Sequence, residues 1–303
     1  MTVHSLRFDS DRLPIEIDDQ TGLHLALTEF ARERLAPALP SVDWRHDIGV
    51  ETGRRLIEGA FVERERAAVR MLLDDLPGGP TAFVAWYEAL RIKGPGQGDP
   101  LFPWLAEHAD LAAMRWFIEQ EAAGEAGFED LVALTQVKLP TTAKLELARN
   151  YWDEMGRGNA RGMHGPMLEV LVRALKLDPH PQTTVWQSLA LGNLMTALAT
   201  NRRYAFQSIG ALGAIEMTAP DRAVCVAQGL ARLGLDRVSR HYFDLHAVLD
   251  RKHSADWNRE VIRSLVAADP SLARPIAEGA LMRLAAGARC YERYRSEFNL
   301  PRR

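Results

Sequence analysis

Cysteine is scarce: Cys225 and Cys290 are the only two in 303 residues. Two isolated thiols build neither a disulfide framework nor a thiolate zinc site, and they suit a reducing compartment, so a cytoplasmic location is expected. Long apolar runs are missing as well. Charge interrupts every hydrophobic stretch well short of the ~20 residues a bilayer span needs, so no membrane association is expected. Met1 to Arg12 hold no continuous apolar stretch of the signal-peptide kind, and export is not expected either. There is no excess of positive charge, since 37 basic residues face 40 acidic ones for a formal net charge of −3. That balance lacks the electrostatic footprint of nucleic-acid binding. Alternating β-type runs are also absent, and no strand is expected.

What is present is an ordinary globular composition, 47% hydrophobic and 25% charged, with apolar residues recurring at helical spacing. The chain reads as all-α. Helices are predicted over 20–37, 46–75, 80–93, 109–137, 141–155, 163–176, 182–200, 202–217, 220–233, 236–255, 257–267 and 272–295. Breakers such as Pro77-Gly-Gly-Pro80, Asp178-Pro-His-Pro181 and Asp269-Pro270 separate them. The densest breaker run, Lys93 to Pro103, places a boundary between a helical N-terminal extension, 1–95, and a helical core, 96–303. The extension carries Trp44, Phe61 and Trp86 among charged neighbours. Its apolar stripes call either for a second copy of the chain, making a homodimer, or for packing on its own core.

The chemistry-bearing residues fall in three segments. His246, Asp250 and His253 stand at i, i+4 and i+7 of a predicted helix and so share one face, its ~10 Å climb bridged by side-chain reach. Two imidazoles and a carboxylate on one face form a metal-binding pattern, or else a solvated polar stripe. Glu154 and His164 flank a glycine-rich break. A straight helix would part them by ~15 Å and ~80°. Gly156, Gly158 and Gly162 permit an unwound backbone that re-aims His164, the alternative being a helix–turn–helix with an exposed Glu and a capping His. Glu216 is the one acid in the small, apolar stretch Ser208 to Pro220, where it needs either Arg203 or Arg222 as partner or a metal. The glycines do not have dinucleotide-fingerprint spacing, and no Walker, HExxH, CxxC or Glu-x-x-His motif occurs.

Taken in order, these residues resemble the heme-oxygenase-like diiron oxidases and oxygenases, often called iron-containing redox enzymes. In that family one helix supplies a Glu followed by a His, a middle helix a Glu, and a late helix a His-x3-Asp-x2-His triplet. Glu154 and His164, Glu216, and His246, Asp250 and His253 match those positions. The interval from Glu154 to His164 is longer than in the shortest members and equal to that of others. Phrases such as Tyr151-Trp-Asp-Glu-Met-Gly-Arg-Gly and Tyr242-Phe-Asp-Leu-His are similar to the family's, and the resemblance runs from Leu101 to Tyr294, leaving the first hundred residues unexplained. Some members use a further carboxylate from the preceding helix. Here Glu121 and Glu125 are both candidates, on a stripe with Phe117 and Phe128, whereas Glu119 and Glu129 point off it toward solvent.

The resemblance implies a heme-oxygenase-like helical bundle holding two Fe ions that use O2 to oxidise a small organic substrate, with manganese as an alternative metal and an external electron donor. Three His and several carboxylates suit iron or manganese better than a four-ligand structural zinc. Glu154 is implied to bridge, with His164, Glu216 and His253 nearer one ion and His246 and Asp250 nearer the other. Substrate oxidation is implied to be N-oxygenation, oxidative carbon–carbon cleavage, or desaturation or decarboxylation. Arg203, Tyr204, Arg289 and Tyr291 are expected to have surface or packing roles. Competing readings are a heme-binding protein of the same fold, with His24 as the axial ligand, and a non-catalytic small-molecule binder in which Glu154 and Glu216 form salt bridges.

Overall fold

A computed structural model describes residues 19–125 and 127–302; the stretch examined above for a signal peptide lies outside them. Thirteen α-helices are found among the described residues and no strand apart from one isolated antiparallel bridge, Met155 to Met163. The helices are α1 (Gln20–Leu35), α2 (Trp44–Ala68), α3 (Pro80–Lys93), α4 (Leu101–Glu107), α5 (Leu111–Gly124), α6 (Phe128–Thr135) and α7 (Thr141–Glu154). They continue as α8 (His164–Ala174), α9 (Trp186–Thr200), α10 (Ala205–Arg232), α11 (His241–Asp256), α12 (Arg263–Ala268) and α13 (Ala273–Glu297). Among the described residues no helix is long and apolar enough to cross a membrane.

The all-α architecture is the one the helical periodicity implies, and four local departures have physical causes. The predicted helix 109–137 is two helices, because Gly127 takes the left-handed conformation (φ 72°) and turns the chain between α5 and α6. Helix α4 forms inside the breaker-rich run. Pro103 sits in its first turn, where the missing N–H has no intrahelical acceptor to lose, and Leu101, Phe102 and Leu105 are buried. The break expected near Pro220 does not occur. Pro220 is buried within α10, and the cost of a prolyl residue there, about 3 kcal/mol, is met by tertiary contacts of a helix that packs on α4, α9, α11 and α13. Finally, α11 runs into α12 through a π-helical segment, Trp257–Ile262, rather than through a break.

Helix α10 is the axis of the molecule, and α13 crosses it at very short range. A Cβ on Gly210 would lie 1.8 Å from the carbonyl oxygen of Ile276, and one on Gly279 would lie 1.8 Å from that of Gln207. Only glycine on both helices allows this approach, which draws the Gly/Ala face around Glu216 into the interior. The residues on either side of the expected 95/96 boundary share one hydrophobic cluster: Leu23, Leu27, Phe61, Phe83 and Tyr87 join Leu194, Leu198, Leu212 and Trp257. On the outer side of α2, Trp44, Ile48 and Leu56 are exposed. A homodimer of the kind expected from the sequence would have these residues available.

Candidate metal centre

Helix α7 delivers the first ligand. Its buried residues Ala143, Leu147, Asn150 and Glu154 recur every three or four positions, so a stripe that begins apolar ends polar at the helix terminus. The chain then makes two 3-10 turns. Gly156, Arg157 and Gly158 all have positive φ, and the loop closes so tightly that a Cβ on Gly156 would meet the carbonyl carbon of Gly162 at 2.4 Å. His164 opens α8 immediately after the closure, and its Nδ1 meets the Glu154 carboxylate. The ten-residue excursion thus returns upon itself, as the glycines allow, and Glu154 and His164 are both buried.

Helix α10 contributes Glu216, and α11 contributes His246, Asp250 and His253. Two sets of donors converge. Glu154, His164 and His246 offer ligand atoms that all lie within 4.8 Å of one another, and so do Glu154, Glu216 and His253. Glu154 is common to both. The imidazoles of His164 and His246 stand with ring centroids 4.4 Å apart. This grouping differs from the partition implied by the resemblance: His164 lies with His246 rather than with Glu216 and His253. The closed loop swings His164 toward the N-terminal half of α11, while Glu216 faces its C-terminal half.

The nitrogens are oriented by partners outside this set. His246 Nδ1–H donates to the carbonyl of Tyr242 at 2.6 Å, which leaves Nε2 with its lone pair free. His253 Nε2–H donates to Asp153 at 3.1 Å, and Nδ1 then points between Glu216 (3.5 Å) and Glu154 (4.0 Å). Asp153 is itself anchored by Arg157 at 2.6 Å. The Asn150 amide donates to Glu216. Neither Arg203 nor Arg222 pairs with Glu216: Arg203 lies 3.3 Å from Glu63, and Arg222 lines a cavity described below. Sequence reasoning missed Asp153 and Asn150. Asn150 shares the Glu154 stripe and was legible in principle. Asp153 was not, because its role depends on a helix a hundred residues away.

The donor chemistry fits a cation. His164 Nε2 and Asp250 Oδ1 are buried without a hydrogen-bond partner among the described residues, a costly state unless something else satisfies them, and His164 Nδ1 and His253 Nδ1 face only carboxylates. Burial raises the Glu154 and Asp250 carboxyls well above the usual carboxylate range, and nearby Glu216 adds to the effect on each. Burial holds His164 and His246 down to about 4, so both are neutral near pH 7. For His253 burial acts downward too, but Glu216 and Asp153 outweigh it and push the group up to about 9. Without a cation the cluster balances its carboxylates with protons; a cation replaces them. Replacing Asp153 with alanine should lower metal affinity about 10- to 100-fold, as it frees the His253 ring. Competitive titration against a chelator would measure this, and an unchanged affinity would remove Asp153 from the centre.

Beside the cluster lies a cavity with about 180 Å³ open to the centres of water-sized molecules, against the roughly 10–15 Å³ that one water needs. Glu154, Glu216, His246 and Asp250 form one wall; Phe117, Ile118, Leu191, Met195 and Ile215 are among the apolar residues of the others. Glu121 and Glu125 also line it but belong to neither donor group. Desolvation raises both carboxyls. Tyr294 O–H donates to Glu121 at 2.8 Å. Glu129 does not point to solvent as the unbroken stripe suggests. The turn at Gly127 re-phases α6, and the half-buried Glu129 carboxylate sits 3.5 Å from where a Gly165 Cβ would be, next to His164. The four residues expected to be structural lie elsewhere: Tyr204 bonds Glu63, Arg289 bonds Glu65, and Tyr291 packs on Phe102.

The family profile described as iron-containing redox enzyme matches residues 115–288, more than half of the chain and all six of these ligand candidates. The chain belongs to that family. No curated protein matches it in sequence. Among solved structures it is similar to a CADD-like protein of unknown function from Nostoc punctiforme. In the 2.00 Å crystal structure of that protein the TM-score is 0.56 at 17% identity, over 72% of this chain and 97% of the other. In a 1.35 Å structure the TM-score is 0.50 at 16% identity, over 79% and 95%. At such identities the likeness establishes an all-helical, CADD-like fold and no more.

Proposed function

We propose that this protein is an O2-dependent non-heme diiron oxidase or oxygenase whose small organic substrate occupies the cavity beside Glu154 and His246. The observation that carries the reading is the sharing of Glu154 between two buried donor groups, each able to hold one ion. Bound iron supplies the reducing equivalents and the O2 chemistry. The chain does the rest. Glu154, His164 and His246 on one side and Glu154, Glu216 and His253 on the other hold the ions, with Asp250, whose free oxygen is buried in the same wall, as a further ligand. Tyr242 and Asp153 fix the imidazole tautomers so that lone pairs face inward. Apolar walls exclude bulk water and hold the substrate against the cluster. Manganese in place of iron, an external electron donor and the choice among N-oxygenation, carbon–carbon cleavage and desaturation are part of the same proposal.

The heme reading finds less support. His24 is buried between Trp186 (ring centroids 5.8 Å, stacked) and Phe61 (4.9 Å, edge-on), bonds to Asn193, and does not line the cavity. A purely structural role for Glu154 and Glu216 pairs His164 Nδ1 with Glu154 but leaves His164 Nε2 buried and unsatisfied. The deciding experiment is anaerobic Fe(II) loading of the full chain with metal counted per chain, followed by O2 exposure and optical spectroscopy. Two irons per chain and a transient visible absorption are expected. Failure to bind iron would end the enzyme reading, and a single iron would end the diiron one.

A further inference from the structure

The cavity has a second polar feature. Arg222 of α10 and Arg283 of α13 both line it, and neither makes a hydrogen bond or an ion pair with any described residue. Arg283 Nε is buried without a partner. Arg222 lies over the rings of Phe102 (5.9 Å) and Tyr291 (5.8 Å), contacts that position a guanidinium without neutralising it. Arg222 is half-buried and lines the cavity. The two helices pack on each other: Gly210 abuts Ile276, and Arg222 reaches Tyr291. Arg222 and Arg283 thus line one cavity from two helices packed on each other. The acid nearby, Glu121, accepts from Tyr294, which is hydrogen-bonded in turn to Ser188 at 2.8 Å, and no arginine comes within ion-pair distance of it.

Arginine does not lose its proton in proteins, so two guanidiniums that no side chain bonds or pairs directly, one of them with its Nε buried, offer their donors to an anion that enters the cavity. Their planar forks match a carboxylate bidentately. The apolar residues that line the same cavity, Phe117, Ile118, Leu191, Met195 and Ile215 among them, match a hydrocarbon body. On α10, Arg222 stands six residues beyond Glu216, a rise of ~9 Å, so a head group held by the arginines is set apart from the ligand wall along that helix. We infer that the ligand of this cavity is an amphiphilic carboxylate, its carboxylate clamped by Arg222 and Arg283 and its apolar chain directed toward Glu154, Glu216 and His246. This assigns Arg222 and Arg283 as specificity-determining residues, and it rests on the cavity being the substrate site proposed above.

The test is made on metal-free full-length protein in the presence of a chelator, so that it does not depend on iron binding. Hexanoate, hexan-1-ol and hexylamine are titrated calorimetrically into the wild type and into R222Q and R283Q, with circular dichroism verifying the helical content of each variant. Hexanoate should bind saturably, and at least about 10-fold more tightly than the alcohol or the amine, because hydrogen bonds to charged groups contribute on that scale. Each Arg→Gln change should weaken hexanoate about 10- to 100-fold and leave hexan-1-ol unaffected. R222K, which keeps the charge but loses the fork, should fall between. Equal binding of acid and alcohol by the wild type would overturn the inference whatever the variants do, and so would unchanged hexanoate affinity in both folded Gln variants.

Discussion

Replacing Glu154 with alanine is expected to empty both halves of the metal centre at once. His164, His246, Glu216 and His253 serve one donor group each, whereas Glu154 belongs to both, so its loss should take bound iron from two per chain to near none. Turnover should fall by well over ~100-fold, since even groups outside the ligand set are worth about 10–100-fold in affinity or activity. The fold should persist: Glu154 ends α7, and the packing of that helix is carried by Ala143 and Leu147. His246→Ala and Glu216→Ala each remove a donor from a single group and should leave a partial complement of metal. Counting metal in the three variants beside their circular dichroism separates the cases. If Glu154→Ala held as much iron as His246→Ala, a bridging role for Glu154 would be wrong.

The second large effect concerns how the N-terminal helices are held. Arg34 at the end of α1 makes a bidentate pair with Glu58 of α2, at 2.9 and 3.1 Å, and also donates to Thr200 at the end of α9 at 2.8 Å. The two side chains keep only 9% and 7% of their surface. Glu58→Ala would leave a buried guanidinium with a single hydroxyl, a loss of about 3–5 kcal/mol and several degrees in thermal midpoint. Replacing Arg34 and Glu58 together with leucine should recover most of it, because the desolvation cost leaves with the charges. An unaltered midpoint for Glu58→Ala would mean that α1 and α2 are docked loosely and that their contacts with α9 contribute little. Metal content in this variant should stay near the wild-type value, since no ligand comes from α1 or α2.

Much of the site was legible in one dimension because helices impose fixed angular spacing. His246, Asp250 and His253 share a face by arithmetic, and Glu216 stands out as a lone acid among small apolar residues. The glycines between Glu154 and His164 announced that the backbone need not be straight there. Their count does not specify a path, however, and the pairing of His164 with His246 follows from a loop closure between Met155 and Met163. Glu129 was misjudged for a related reason: one residue at positive φ, Gly127, resets the phase of everything after it.

The sequence by itself determined the helical class, the position of most helices and the identity of six candidate ligands, since each depends on neighbours within a turn or two. The tertiary structure decided which ligands meet, that Asp153 orients His253, and that Arg222 and Arg283 open into one chamber. These are encounters between residues tens to a hundred positions apart, fixed by helix crossings such as Gly210 against Ile276, where the absence of a side chain sets the distance. Local chemistry specifies what each residue can do. Only the packing of helices on one another specifies what it does it with.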